Sequence, residues 1–373
     1  MSIKGKVRFV HKDKTLFFPT LKKRVDLYFK ENKISKNANA HMVIKTIALL
    51  AMYLAPFILI LTIAMPLWAQ LCLWVVMGIG LAGVGMGVMH DAAHEAYSTN
   101  RTTNFLLGSS LNLLGGSIFN WKLQHNVMHH TYTNIAHMDD DVDDKLVLRF
   151  NPHTNLKWYH KMQWIYAFFF YGILTLYWVV LKDFVQFRKY TKQGVNENTR
   201  VQNMWILTRI IISKLVYYFV AFFVPLYLLQ MPVLPYVLGW FLMHFIAGNI
   251  LTITFQLAHT VEGTSHPLPN ESGIIENDWA MHQMNTTVNF SRKNKLISWY
   301  VGGLNYQVEH HLFPYISHVH YPAISEIVKE TAAEFNVPYL ENETLGQALR
   351  SHISALQKFG KLQLPDINEA LAG

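Results

Sequence analysis

Four stretches of this chain contain no Asp, Glu, Lys or Arg over roughly the thickness of a bilayer, and they leave few folds open to it. They are residues 46–65 (TIALLAMYLAPFILILTIAM), 67–89, 215–231 and 233–258. A lipid interior offers no partners to backbone N–H and C=O groups, so such stretches cross it as helices that satisfy their own. The four fall into two pairs, each joined by a proline-marked turn, at Pro66 and at Pro232–Pro235. The expected fold is an all-α integral membrane protein: four transmembrane helices in two hairpins, interfacial helices, and a histidine-rich cap on one side. Charged residues make up only 15% of the chain, against about 25% in soluble domains.

Residues 1–40 hold eleven Lys and Arg, whereas neither hairpin turn has one. By the positive-inside rule the N-terminus and the cap are cytoplasmic and both turns face away. The net charge of +8 follows from that topology and suits anionic lipid heads rather than nucleic acid. The first 40 residues are basic and polar, so no signal peptide is expected. Cys72, the single cysteine, lies mid-span and excludes disulfides and thiolate metal sites. The chain divides into a basic segment (1–42), a membrane unit (43–325) and a C-terminal segment (326–373).

A further uncharged stretch, 164–181 (WIYAFFFYGILTLYWVVL), is long enough to cross. If it did, histidines after the second span and after the last would face opposite sides. Four spans put them on one side, so 164–181 is expected to be interfacial or re-entrant. The shorter run 105–118 is assigned likewise.

Those histidines lie in four segments: His90 and His94 in HDAAH; His125, His129 and His130 in HNVMHH; His259 at the end of the fourth span; His310 and His311 in QVEHH, preceded by Gln307. Residues four apart share a helix face, so His90 with His94, and His125 with His129, can reach one ion each, while His130 points about 100° further round. Each segment alone also suits a surface or interfacial histidine. Together, eight imidazoles and an amide exceed what one open site takes and suit two ions, whether iron, zinc or copper.

HDAAH, HNVMHH and QVEHH in this order resemble the three histidine boxes of membrane fatty acyl desaturases. Gln307, where many relatives have a histidine, resembles the front-end branch, and HNVMHHTYTN before an acidic run resembles bacterial linoleoyl-CoA or acyl-lipid members. The resemblance implies an O2-dependent oxidoreductase of the bacterial cytoplasmic membrane that puts a cis double bond into a fatty acyl chain on CoA, a carrier protein or a membrane lipid. It implies two non-haem irons held by His90, His94, His125, His129, His130, His259, His310 and His311, with Gln307 in the remaining box position. The HxxxHH spacing departs from the more common HxxHH and leaves the helix phase of His125 open. Where animal relatives have an asparagine, Phe255 stands, with Gln256 as the neighbouring substitute. With no HPGG haem motif in the chain, electrons come from a separate ferredoxin or b5-type cytochrome.

Ligating imidazoles need partners that fix their tautomers. Asp91, Asn134, Asp139, Asp141, Gln256, His282 and Glu309 are the candidates, His282 lying in the family-like MHQMNTTVNF. An apolar tunnel is expected between the span ends and the cap, with Lys122, Arg149 or Arg188 meeting a head group. His244 is expected to make an interhelical hydrogen bond, and His137 and His266 to lie at the surface. A di-iron hydroxylase or ketolase acting on lipid or carotenoid is the competing enzyme. A metal transporter would put its ligands inside the spans.

Overall fold

The computed structural model describes residues 7–10, 16–142 and 147–362. In chain order its helices are α1 (Phe17–Glu31), α2 (Ala40–Thr62), α3 (Leu67–Ala93), α4 (Arg101–Gly108), α5 (118–132), α6 (Trp158–Gln193), α7 (Arg200–Leu228), α8 (Val233–His259), α9 (Trp279–Thr286), α10 (Lys295–Tyr300), α11 (Gln307–Leu312), α12 (Tyr321–Glu334) and α13 (Leu345–Phe359). Two parallel strand pairs, β1 (Arg8–Phe9) with β2 (Ile274–Ile275) and β3 (Asn289–Phe290) with β4 (Glu341–Asn342), tie loops together.

Five helices, α2, α3, α6, α7 and α8, are long and apolar enough to cross a membrane. The expected spans fall on α2, α3, α7 and α8, the first and third each running three residues past the end of its helix. The fifth, α6, contains 164–181 and runs unbroken from Trp158 to Gln193, so the four-span count does not follow from helix length alone. The run 105–118 is no single helix: a 3-10 segment, Ser109–Leu114, follows α4 and ends at left-handed Gly115 (φ 77°).

Helices sit close where glycine removes a side chain. A Cβ on Gly80 would lie 2.7 Å from the Met52 backbone, and one on Gly248 would lie 2.7 Å from the carbonyls of Tyr171 and Gly172. These contacts pack α2 on α3 and α6 on α8. The outward faces of α2 and α7 leave Ile47, Ile58, Leu215 and Phe219 bare, which suits lipid rather than water. His244 makes its interhelical hydrogen bond, at 2.6 Å from the Tyr217 hydroxyl. Lys214 of α7 is buried against Asp183 (2.8 Å) and also donates to the carbonyls of Gly115, Trp178 and Val179, where α6 passes through a π-helical turn.

Beyond the ends of α3 and α8 a second apolar core forms the cap. Phe17, Leu21 and Val25 of α1 pack with Val308 and Leu312 of α11 and with Ile324 and Val328 of α12. The N-terminal segment is thereby built into the cap that carries the QVEHH box. At the other flank, α13 docks on α6 through His352 and the Tyr171 hydroxyl, 2.8 Å apart.

Candidate metal centre and its cavity

All eight imidazoles meet at one place, and every one is buried. They arrive from the ends of α3 and α8, from α5 and from α11. One ligand nitrogen from each of His90, His94, His125 and His310 lies within 4.8 Å of the others; His129, His259 and His311 form a second such group. His130 stands between the two, its ring 4.7 Å from His94, 4.6 Å from His310 and stacked 4.4 Å from His311. The Gln307 amide points into the second group, 2.9 Å from His259 Nε2 and 3.3 Å from His311 Nε2.

The pairing of His125 with His129 expected from helical spacing is present, since the two rings stack 5.0 Å apart and with Asp141 form a third group of ligand atoms within 4.8 Å, but His125 also joins the group of His90. Residues Lys122–His129 are π-helical, and the His130 N–H bonds back five residues to the His125 carbonyl. The wider turn carries His125 toward His90, its Nε2 3.2 Å from that of His90, while His129 faces His259 at a ring distance of 4.6 Å. The extra residue in HxxxHH is what a π-helix absorbs, and such turns are frequent at functional sites. A second π-helix, Gly85–Met89, leads into His90.

The partners behind the rings set the tautomers. His125 Nδ1 donates to Asp141 at 2.9 Å, and His129 Nδ1 donates to both oxygens of Asp139 at 3.0 and 2.9 Å. Asp139 also accepts the N–H groups of Asn134 and Asp141, so the turn holding both carboxylates is itself locked. His259 Nδ1 donates to the Thr286 carbonyl at 3.3 Å and His311 Nδ1 to Gln283 Oε1 at 2.7 Å. Carboxylates and carbonyls only accept, so these four rings carry their proton on Nδ1 and turn a lone pair at Nε2 inward.

That geometry suits a pair of cations. The Nε2 atoms of His94, His129 and His310 are buried without a hydrogen-bond partner among the described residues. An unpartnered buried acceptor is costly, and a bound ion removes the cost. Burial pushes His94, His130, His310 and His311 well below the ordinary imidazole value, which keeps them neutral and able to ligate. Burial also lowers His125, whereas at His129 it is outweighed by the Asp139 carboxylate, which holds that ring above the usual value.

A cavity of about 400 Å³ opens beside the first group. His90, His125, Gln256 and Gln307 line it, as do the apolar Met86, Met89, Leu114, Ile173 and Leu251. Polar lining comes also from Gln124, Asp140, Lys182, Gln186 and Lys189.

Comparison with known proteins gives the chain's family. The family model for fatty acid desaturases matches residues 66–342. The chain belongs to the fatty acid desaturase family. It is 33% identical over 349 residues to an sn-1 linoleoyl-lipid 6-desaturase of Arthrospira platensis, covering 92% of each chain. It is 37% identical over 358 residues to an acyl-lipid (8-3)-desaturase of Physcomitrium patens, covering 92% of this chain and 72% of that one. An sn-1 linoleoyl-lipid 6-desaturase of Synechocystis sp. is 32% identical over 348 residues. The protein is therefore an oxidoreductase of this family.

Several expected positions of this desaturase lie elsewhere. Asp91 turns from the cage to His318, accepting from its Nδ1 at 2.8 Å and from Ser317 at 2.7 Å, and His318 in turn meets buried Lys45 at 2.8 Å. Glu309 accepts from Asn289 (2.8 Å) and Tyr339 (2.9 Å) and makes no hydrogen bond to a cage histidine; burial raises it to about 7. Gln256 is buried at the cavity wall with Oε1 unpartnered among the described residues, while Phe255 packs on His129 and His259. Asn134 donates to the carbonyls of His259, Ser265 and Thr286, joining box two to the end of α8. His282 lies one layer back, against Phe9, and the side chain that reaches His311 is its neighbour Gln283. Thr133, which also bonds Gln283 and the His129 carbonyl, was not singled out by the sequence either.

The expected head-group residues differ too. Arg149 is buried and donates to the carbonyls of Pro152, Thr154, Phe359 and Leu362, so it is structural. Lys122 sits 3.7 Å from Glu95 at the surface, and Arg188 is exposed. The lysines that face the cavity are Lys182 and Lys189. His137 is exposed, whereas His266 is half-buried against Phe359 rather than at the surface. In the acidic run 139–144, Asp143 and Asp144 fall outside the described residues.

Proposed function

We propose that the chain is an O2-dependent acyl-lipid desaturase that places a cis double bond in a chain lying in the cavity beside His90 and His125, at a non-haem di-iron centre. The observation that carries this reading is the meeting of two imidazole groups with an apolar cavity at their edge. His90, His94, His125 and His310 would hold one iron and His129, His259 and His311 the other, with His130 between them and Gln307 beside the second. The chemistry supplied by such a centre, when bound, is the reduction of O2 coupled to removal of two hydrogens from adjacent carbons.

The protein's own part is positioning. Asp139, Asp141, Gln283 and the Thr286 carbonyl hold the rings so that binding costs little reorganisation. Met86, Met89, Leu114 and Leu251 keep water from the reacting methylenes and hold the chain in one register, which selects the carbons that react. A chain on a membrane lipid, rather than on CoA or a carrier protein, fits the acyl-lipid activities for which the relatives are named. Electrons would come from a separate ferredoxin or b5-type cytochrome.

The membrane arrangement we favour has four spans, with α6 folded back and 43–325 as the catalytic unit. Both ends of α6 bond to the second box's surroundings: Gln163 near its start to Arg149 and Lys189 near its end to Asp140, both after the box, and Gln186 to Gln124 just before it. With positive residues inside, the cap then faces the cytoplasm, in a bacterial inner membrane. Expression in a host without polyunsaturated lipids, with mass-spectrometric mapping of double bonds and iron measured per chain, tests the function. New double bonds with two irons per chain support it. New hydroxyl groups instead would assign the chain to lipid hydroxylation, and a chain that carries no iron would remove the centre.

A further inference from the structure

A second cavity, of about 370 Å³, lies between α2, α3, α7 and α8 and shares no lining residue with the one beside the histidines. Its α7 wall is a broad face of that helix, from Arg209 through Ile212, Ser213, Val216, Tyr217 and Val220 to Ala221. From Arg209 to Val220 the helix rises roughly 16 Å, so the space is a slot rather than a bowl. Arg209 and Ser213 stand at its start along α7, and Asn112 of the 3-10 turn also lines it. Toward the other end it meets Trp74 and Tyr236, whose rings pack edge to face at 5.2 Å, the Tyr236 hydroxyl being engaged by the Ala221 carbonyl.

Arg209 is exposed, and no acidic side chain lies within ion-pair distance of it among the described residues. It precedes the uncharged stretch that begins after Lys214, on the same side of the hairpins as the histidines. A cation at head-group depth, at the mouth of a long apolar slot, seeks an anion with an apolar tail.

We propose that this slot binds an anionic glycerophospholipid, its phosphate at Arg209 and one acyl chain running along α7 toward Trp74 and Tyr236. The site is distinct from the catalytic cavity: Asn112 and Leu113 line the slot, and Leu114 lines the other side of the same 3-10 turn.

The test is native mass spectrometry of the full chain in mild detergent, titrated with dioleoyl phosphatidylglycerol and, separately, with dioleoylglycerol. The expected result is one phosphatidylglycerol per chain, held about fivefold more tightly than the neutral lipid. Arg209→Gln should bring it down to the neutral lipid's level, and Val216→Trp should exclude both. If Val216→Trp does not insert, Val220→Trp fills the slot from the same face. Equal binding of the two lipids by the wild-type chain, or unchanged phosphatidylglycerol binding by Arg209→Gln, would overturn the proposal, as would retention of both lipids by the filled slot.

Discussion

Asparagine in place of Asp139 probes how much the carboxylates behind the imidazoles contribute. The two oxygens of Asp139 accept from His129 Nδ1, from the Asn134 N–H at 2.9 Å and from the Asp141 N–H at 3.0 Å. Asparagine keeps the shape but has one accepting oxygen, and its amide N–H cannot face any of those donors. At least one contact is therefore lost, and the negative charge goes from them all. A charge-assisted hydrogen bond contributes about 1.5–3 kcal/mol, which corresponds to roughly tenfold to hundredfold in affinity, the range typical of partners behind ligating histidines. The loss should fall on the group of His129, His259 and His311. Anaerobic titration of the metal-free protein with Fe(II), followed by iron analysis per chain, should show one ion bound as in the wild type and the other weakened. Asp141→Asn, behind His125, should weaken the complementary ion. Wild-type affinity for both ions in Asp139→Asn would refute the reasoning.

Three further outcomes are expected. Gln283→Leu removes the acceptor of His311 Nδ1 and should lower turnover roughly tenfold or more without preventing membrane insertion, read from double bonds formed per chain. Gly85 lines the cavity, and a Cβ there would lie 3.3 Å from Leu251 and 3.4 Å from Leu114. Gly85→Val should therefore discriminate against longer acyl chains, visible as a shift in product chain length; an unchanged product profile would take Gly85 out of the substrate path. Lys214→Met leaves Asp183 buried without its cation and should destabilise the protein by about 3–5 kcal/mol. Thermal unfolding in detergent should show that loss, largely recovered by adding Asp183→Asn.

How much of this was legible in the sequence differs from residue to residue. The histidine boxes were plain because metal-binding residues are few and their order is distinctive. Box one behaved as its spacing implies, since His90 and His94 sit about one turn apart. Box two did so only in part: His125 and His129 do stack, but the turn of His125 toward His90 comes from a π-helix, which has no clear residue signature beyond the single extra position in HxxxHH. Asp139 and Asp141 were found by nearness in sequence to box two. Gln283 was passed over for His282, as one residue's shift along α9 changes which side chain faces inward. Arg149 looked like a head-group residue because a sequence does not tell a cation at the surface from one that ties four carbonyls together. The passage of α6 was inferred from a requirement that the histidines meet, and its length and apolarity left crossing open.

Composition and pattern alone determined that this chain has helices suited to a membrane, carries its histidine clusters at or beyond the ends of apolar helices, and belongs among histidine-box oxidoreductases. Those properties depend on residue type and local spacing, which the linear order carries directly. Tertiary structure alone decided which imidazole joins which group, which carboxylates stand behind them, and where the two cavities open. Each of those depends on helix phase and on contacts between segments a hundred or more residues apart, such as Asn134 with His259 and Thr133 with Gln283. Nothing local encodes such contacts, because a buried polar group takes whichever partner packing brings within reach.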